Sequence, residues 1–304
     1  VSGPADNTAD LAIEQSRRQA ALGQFVRVVL IVVTLIGPLA ASALGARLGD
    51  PTSTILAWVV PLAIIAAWVA ASSAGVRVMK LVQRVPLLIA AGRYDAAEHH
   101  LAQSLARFSM VRSSRVMALY HLATLRHAQG RHADAARLAS AVVVDGRRDI
   151  DEPVDVHARL ILAESSLELD RPHGAYAMLV ELRDRPLRLG ETLKLLAIEI
   201  EYLARIEGWS AMLERVGEKL ELIDLMPAGE SSRCQAWLAL AASRAGQSDL
   251  HEYLAARVRL VSDPGPLVAA RPVLRELFEP AASVEATVAD PLEPATSDER
   301  PPAT

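Results

Sequence analysis

Two long uncharged apolar runs lie close together in the first quarter of this 304-residue chain, and they limit what the remainder can be. The first extends from Phe25 to Ala46 and carries no charge from Val28 onward; the second lies between Asp50 and Arg77, with its core at Ile55 to Val76. At about 1.5 Å per helical residue, a run of about 20 residues crosses a hydrocarbon layer of roughly 30 Å. Inside lipid every backbone N–H needs an internal partner, so each run is expected to be a helix. Pro38 and Pro61 fall within the runs, and prolines in membrane helices are tolerated as kinks. The first expectation is therefore a transmembrane hairpin over residues 25–77. Two readings compete with it. One is a pair of buried helices in a soluble core. The other is a signal sequence, with Arg17, Arg18 and Arg27 as its basic start and Ala41-Ser42-Ala43 as its cleavage site. In that case the second run would still anchor the chain.

Lysine and arginine near the helix ends set the orientation. Arg17, Arg18 and Arg27 precede the first run, only Arg47 lies in the short connection, and Arg77, Lys80, Arg84 and Arg93 follow the second. Both ends are expected in the cytoplasm, with the hairpin integral to the cytoplasmic membrane and the short loop outside. The runs contain no Asp, Glu, Lys or His, and intramembrane ionisable groups are the usual mark of an ion or proton path. An anchor is the simpler reading. Its small residues (Gly37, Ala40 and Gly45 in the first run; Ala66, Ala70 and Gly75 in the second) suit close helix packing within the hairpin or between copies. Trp58 is expected at the interface and Trp68 deeper, as packing.

Net charge is −4, which gives no bulk electrostatic reason to expect nucleic acid. Cys234 is the single cysteine, so no internal disulfide and no cysteine-based metal site can form. The alanine- and arginine-rich usage is that expected of a bacterial protein.

From Val78 to Phe278 apolar residues recur every three or four positions, with no alternating strand pattern. Short turns punctuate this stretch at Gly92, Gly130, Asp170, Glu207 and Gly246, in steps of 38, 40, 37 and 39 residues. The clearest unit runs from Leu119 to Ala139, with Leu122-Ala123 in its first helix, Gly130 at the turn and Ala135 in its second helix. Gly92 to Ala97 repeats that turn and small residue, with Leu101 four positions on. Glycine accepts the left-handed conformation that ends a helix, and alanine lets two helix axes approach closely.

On these residues the domain resembles the tetratricopeptide repeat (TPR) family. Its steps exceed the family's unit of about 34 residues, the extra residues falling at Val144 to Pro153 and Arg183 to Gly190. Most Trp, Tyr and Pro signatures are missing, and Met212 and His251 stand where small residues are expected. The resemblance implies an all-α fold: two transmembrane helices followed by an α-solenoid of about five TPR-like hairpins, the last two degenerate. It also implies a groove lined by the first helix of each pair, taking an extended peptide or a partner helix. By register the groove positions are Tyr120, Thr124 and His127 in the second pair, and His157, Glu164 and Glu168 in the third. The fourth contributes Lys194, Glu201 and Arg205, and the fifth Arg233 and Arg244. Their mixed signs indicate neither a simply acidic nor a simply basic ligand.

Residues 1–24 form an N-terminal cytoplasmic segment, within which Leu11 to Gln24 is expected as a short amphipathic helix at the interface. Pro86 is expected to kink the passage into the first soluble pair. Residues 279–304, with five prolines and six acidic residues, are expected to be a disordered tail. No P-loop, dinucleotide fingerprint or nucleophile elbow occurs. His99 and His100 are adjacent and His121 and His127 six apart, neither the i, i+4 spacing of helical metal ligands. Asp149, Asp151, Glu152 and Asp155 cluster beside Arg147 and Arg148, as a solvated loop and helix start would. No catalytic residue, cofactor or metal is expected. The expected role is a membrane-anchored scaffold that recruits a protein partner to the cytoplasmic face, with possible self-association through the small-residue hairpin faces. The alternative is a small regulatory subunit of a membrane complex, acting through the hairpin.

Overall fold

The computed structural model describes residues 7–48, 52–107, 112–146 and 152–278. The acidic tail, Asp149, Asp151 and the side chains of Trp58 and of residues 40–45 lie outside the description. All regular structure among the described residues is helical. The chain divides into two compact units, residues 1–207 and 208–304.

In the first unit, helix α1 runs unbroken from Asn7 to Leu48 and α2 from Thr52 to Val82. Both are long and apolar enough to cross a membrane, and both continue through their prolines. The apolar windows of these helices are only 6% and 12% buried within the protein, which distinguishes them from the core helices of a soluble domain. The boundaries expected at residues 24 and 77 do not separate structural elements. Residues 11–24 are not a separate helix. They are the first part of α1, and Ala9, Ala12 and Ser16 are buried against the following helices. Asp10 pairs with Arg137 at 3.1 Å, and the amide of Gln19 donates to the Leu105 carbonyl at 2.5 Å. Likewise Val78 and Val82 of α2 are fully covered core residues. Pro86 does not kink a helix: it stands in the first turn of a new one, where its missing N–H costs nothing.

The remaining helices of this unit are α3 (Val85–Ala90), α4 (Tyr94–Ala106), α5 (Arg112–Ala128), α6 (His132–Gly146), α7 (Glu152–Glu168), α8 (Pro172–Arg183) and α9 (Leu189–Arg205). Consecutive helices pack on one another, and α5 also packs on α7 and α7 on α9. The turns at Gly92, Gly130 and Asp170 join α3 to α4, α5 to α6 and α7 to α8. Each turn residue is left-handed, with φ of 68°, 72° and 55°. At the middle turn Gly130 N–H donates to the His127 carbonyl (2.9 Å) and Arg131 N–H to that of Arg126 (2.8 Å). This double closure is the Schellman ending, and it recurs at the other two turns. Five residues past each turn stand Ala97, Ala135 and Ala175, each 0% exposed. A methyl group there leaves the second helix free to lie close against its neighbours.

The second unit holds α10 (Trp209–Leu213), α11 (Val216–Ile223), α12 (Ala228–Arg244), α13 (Ser248–Val261), α14 (Pro264–Ala270) and a closing 3-10 turn, Pro272–Leu277. Its centre is α12, buried from Cys234 to Ala242 and contacted by α10, α11, α13 and the closing turn. The turn at Gly246 (φ 71°) repeats the double closure. At Glu207 (φ 55°) the expected second helix is not continuous. It breaks after five residues, and left-handed Arg215 (φ 52°) starts α11. Met212, five residues past the turn, fills a fully buried site, and Lys219 donates to the carbonyls of Ala211 and Met212 at the end of α10.

Candidate partner-binding face

The register positions on α5 fall four and three residues apart, which keeps them on one side of the helix. Those on α7 and α9 are spaced by seven and four residues with the same result. Because these three helices pack in succession, their polar side chains meet as a ladder. At one end the Tyr120 and His157 rings are 6.4 Å apart, and His157 Nδ1 donates to the Pro153 carbonyl at 2.6 Å. His157 also lies 3.6 Å from Glu191. In the middle, His127 Nε2 is 3.1 Å from one oxygen of Glu164, while Lys194 Nζ donates to the other at 2.9 Å. At the far end Arg205 approaches Glu201 (3.8 Å) and Asp170 (3.6 Å). Thr124 turns its hydroxyl back onto the Tyr120 carbonyl at 3.0 Å. Glu168 is half-buried.

The electrostatic centre is Glu164. Burial alone would raise its pKa, but the His127 hydrogen bond and the Lys194 charge outweigh burial and bring it down to about 2. Its carboxylate is therefore ionised throughout the physiological range, and it holds a cationic lysine on one side and a histidine on the other. Beside the ladder, burial lowers the pKa of His121 to about 4 and so keeps that ring neutral.

The expected groove residues are thus brought together on α5, α7 and α9, but not as free ligand donors. Glu201 is only 5% exposed, and Glu164 is engaged on both sides. Within the first unit the expected positions come together on α5, α7 and α9. Arg233 and Arg244 belong to the second unit, where Arg244 pairs with Glu276 at 2.6 Å.

Three buried arginines, Arg115, Arg126 and Arg159, were missed by reading for exposed groove positions. Arg126, 4% exposed, donates to both oxygens of Glu98 (2.7 and 3.0 Å) and to Gln129 (2.8 Å), tying α4 to α5. That hydrogen bond is the main reason the Glu98 carboxyl is held below its ordinary pKa. Arg159 on α7 bonds Asp155 at 3.0 Å and pairs with Glu181 on α8, while Arg185 also reaches Asp155. The acidic group at the start of α7 therefore serves, at Asp155, as an internal clamp. For two of them the signal was present in the spacing: Arg115, Leu119, Leu122 and Arg126 form one three-and-four stripe on α5, so Arg115 and Arg126 occupy core positions.

No family model matches the chain, and neither curated proteins nor solved structures yield a match.

Proposed function

We propose that the chain is a membrane-anchored scaffold with a TPR-like helical-repeat domain. It recruits a protein partner to the cytoplasmic face and is not an enzyme. The observation that carries this reading is the polar ladder across α5, α7 and α9. Tyr120, His127, His157, Lys194 and Arg205 stand at fixed spacing, and Glu164, Glu191 and Glu201 hold all but the tyrosine in place. Such a face suits a peptide or helix that carries both carboxylates and apolar side chains, because pre-oriented side chains lose little entropy on binding. The solenoid reading draws support from the left-handed turns and from the buried alanines five residues after the first three. The anchor reading draws support from the uncovered apolar surface of α1 and α2, which a lipid phase would satisfy. The basic flanks argue for the cytoplasmic side.

The docking of α1 on the repeat helices decides which experiment is informative. A truncation starting at Val78 would uncover the sites filled by Ala9 and Ala12, so the full chain is required. Solubilised from native membranes, the full chain should co-purify with one discrete protein. Tyr120→Ala with Arg205→Glu should reduce that capture by about tenfold or more, a contact being lost at each end of the ladder. Unchanged capture by a folded double variant rules out the ladder as the binding face. The same docking favours a second reading, a regulatory subunit acting through its hairpin, since α1 links the apolar run to the domain core without a hinge. Replacing residues 25–77 by an unrelated hairpin would abolish function on that reading and preserve it on the first.

A further inference from the structure

A cleft of about 970 Å³ opens where α1, α2 and the start of α5 converge, at the junction between the apolar helices and the helical domain. Four arginines line it: Arg17 and Arg27 from α1, Arg112 and Arg115 from α5. The acidic residue among the lining side chains is Asp145. The two pairs come from distant parts of the sequence. A basic flank that merely orients a hairpin would account for Arg17 and Arg27. It would not account for Arg112 and Arg115, which belong to the helical domain, nor for their turning toward the same space.

Arg115 is 4% exposed and reaches the Gln19 carbonyl at 3.4 Å. Burial and the neighbouring charge of Arg112 both lower its pKa, and Arg112 itself donates to the Asp145 carbonyl at 2.5 Å, so both guanidinium groups are held at the cleft. Between Arg17 and Arg27 the wall of the cleft is made by Ala20, Ala21, Gly23 and Gln24. The cleft is also polarised along its length. Arg112, Ser113 and Asp145 stand at the end toward the domain, while Val28, Ile31 and Trp68 stand at the end along the apolar helices. A free inorganic anion would use only the first end, whereas an amphiphile with an anionic head would use both.

We propose that this cleft binds the phosphate headgroup of an anionic phospholipid from the adjoining leaflet, with Arg27, Arg112 and Arg115 as its donors and an acyl chain lying along Val28, Ile31 and Trp68. The proposal rests on the membrane reading above. Guanidinium pairs are suited to phosphate oxygens, which they meet in a bidentate fork. A lipid held there would join the hairpin to α5 and so set the distance of the repeat domain from the membrane.

The test uses the full chain purified in a neutral detergent, with native mass spectrometry as the readout and phosphatidylglycerol, phosphatidylcholine and inorganic phosphate as probes. Phosphatidylglycerol should be retained about tenfold or more over phosphatidylcholine, inorganic phosphate in the millimolar range should not displace it, and Arg27→Gln with Arg112→Gln should abolish the preference. Both substituted residues are exposed, which spares the buried Arg115. Equal retention of the two lipids overturns the proposal, as does a preference that survives the double variant. Displacement by inorganic phosphate overturns the lipid as the source of the anion. A second readout does not depend on the variant's folding. Brominated acyl chains on phosphatidylglycerol should quench the fluorescence component lost in Trp68→Phe more than the same chains on phosphatidylcholine, and equal quenching overturns the proposal. Alkaline extraction of the membranes separates the two levels. Retention of the chain without lipid preference defeats only this inference, whereas release into the soluble fraction defeats the anchor reading with it.

Discussion

The turns at Gly130 and Glu207 occupy the same register, yet the helices that follow them differ. After Gly130, α6 runs for 15 residues and buries Ala135 completely; after Glu207, α10 ends within five, and the buried residue is Met212. A methyl group permits close approach of two helix axes. A thioether fills the space such an approach would close, and the chain reorganises into two short helices joined through left-handed Arg215. At the last turn the equivalent residue is His251, and it meets its neighbour by a hydrogen bond instead, its Nδ1 lying 3.1 Å from the Ala239 carbonyl. With His251 there α13 still runs unbroken for 14 residues, so the left-handed turn is common to all these pairs and the break after α10 goes with Met212 alone.

The sharpest way to break this comparison is to exchange the two side chains. Met212→Ala should cost about 2–5 kcal/mol through the cavity it leaves, although it restores the smaller residue. Cys234 reports on this unit alone, being its single thiol and 1% exposed. Its labelling rate should rise by at least about tenfold in Met212→Ala, each 1.4 kcal/mol being about tenfold. A neutral or protective effect would show that the site is an unfilled version of the Ala135 site. The acid response of the first unit comes next. The folded pKa of Glu164 lies below its unfolded value of 4.5, so the stability it contributes is present above pH 4.5 and is lost as pH falls toward about 2. That contribution is on the order of 3 kcal/mol. His121 is held neutral to about 4, against 6.5 when unfolded, so protonation of the unfolded chain removes further stability as pH falls from 6.5. Thermal unfolding followed from pH 7 to pH 3 should show both phases. Glu164→Gln should flatten the lower one, and His121→Phe the upper.

Ala135→Met, the reverse exchange, should cost about 1–3 kcal/mol by overpacking and leave Cys234 labelling unchanged. The turns give the smallest effects. A Cβ added at Gly130 meets no atom within 4 Å, so Gly130→Ala should cost only the left-handed backbone penalty of about 1–2 kcal/mol. Glu207→Gly should gain about 0.5 kcal/mol, the relief of the same penalty exceeding the added freedom of the unfolded chain. Melting temperatures of the two variants should move in opposite directions.

Much of this was legible in the sequence because the controlling features are local. All five turn positions read from glycine, aspartate and glutamate spacing prove to be left-handed, and Ala97 and Ala135 are fully buried at the small positions assigned to them. What was illegible depends on contacts across the chain. Ala9, Ala12 and Ser16 are small and sit among charged residues, so nothing in the sequence marks them as core, and only α4, α5 and α6 reveal the surface they fit. The ladder positions were identified singly, but their mutual pairing requires α5, α7 and α9 side by side. Arg126 and Arg115 were passed over because a charged residue within an apolar stripe is read as an interruption, whereas each is buried, with Glu98 or the Gln19 carbonyl as its acceptor. The break after α10 is visible only in retrospect, in the size of Met212.

The most direct measurement of the adaptor reading is site-specific photo-crosslinking of the full chain in native membranes. Thr124 is the position of choice, because its side chain bonds only its own helix and its replacement leaves the His127–Glu164–Lys194 group intact. Tyr176 on α8, half exposed, is the control. The account predicts a discrete adduct with a second protein from Thr124 and none from Tyr176. No adduct from Thr124, or the same adduct from both positions, would contradict it.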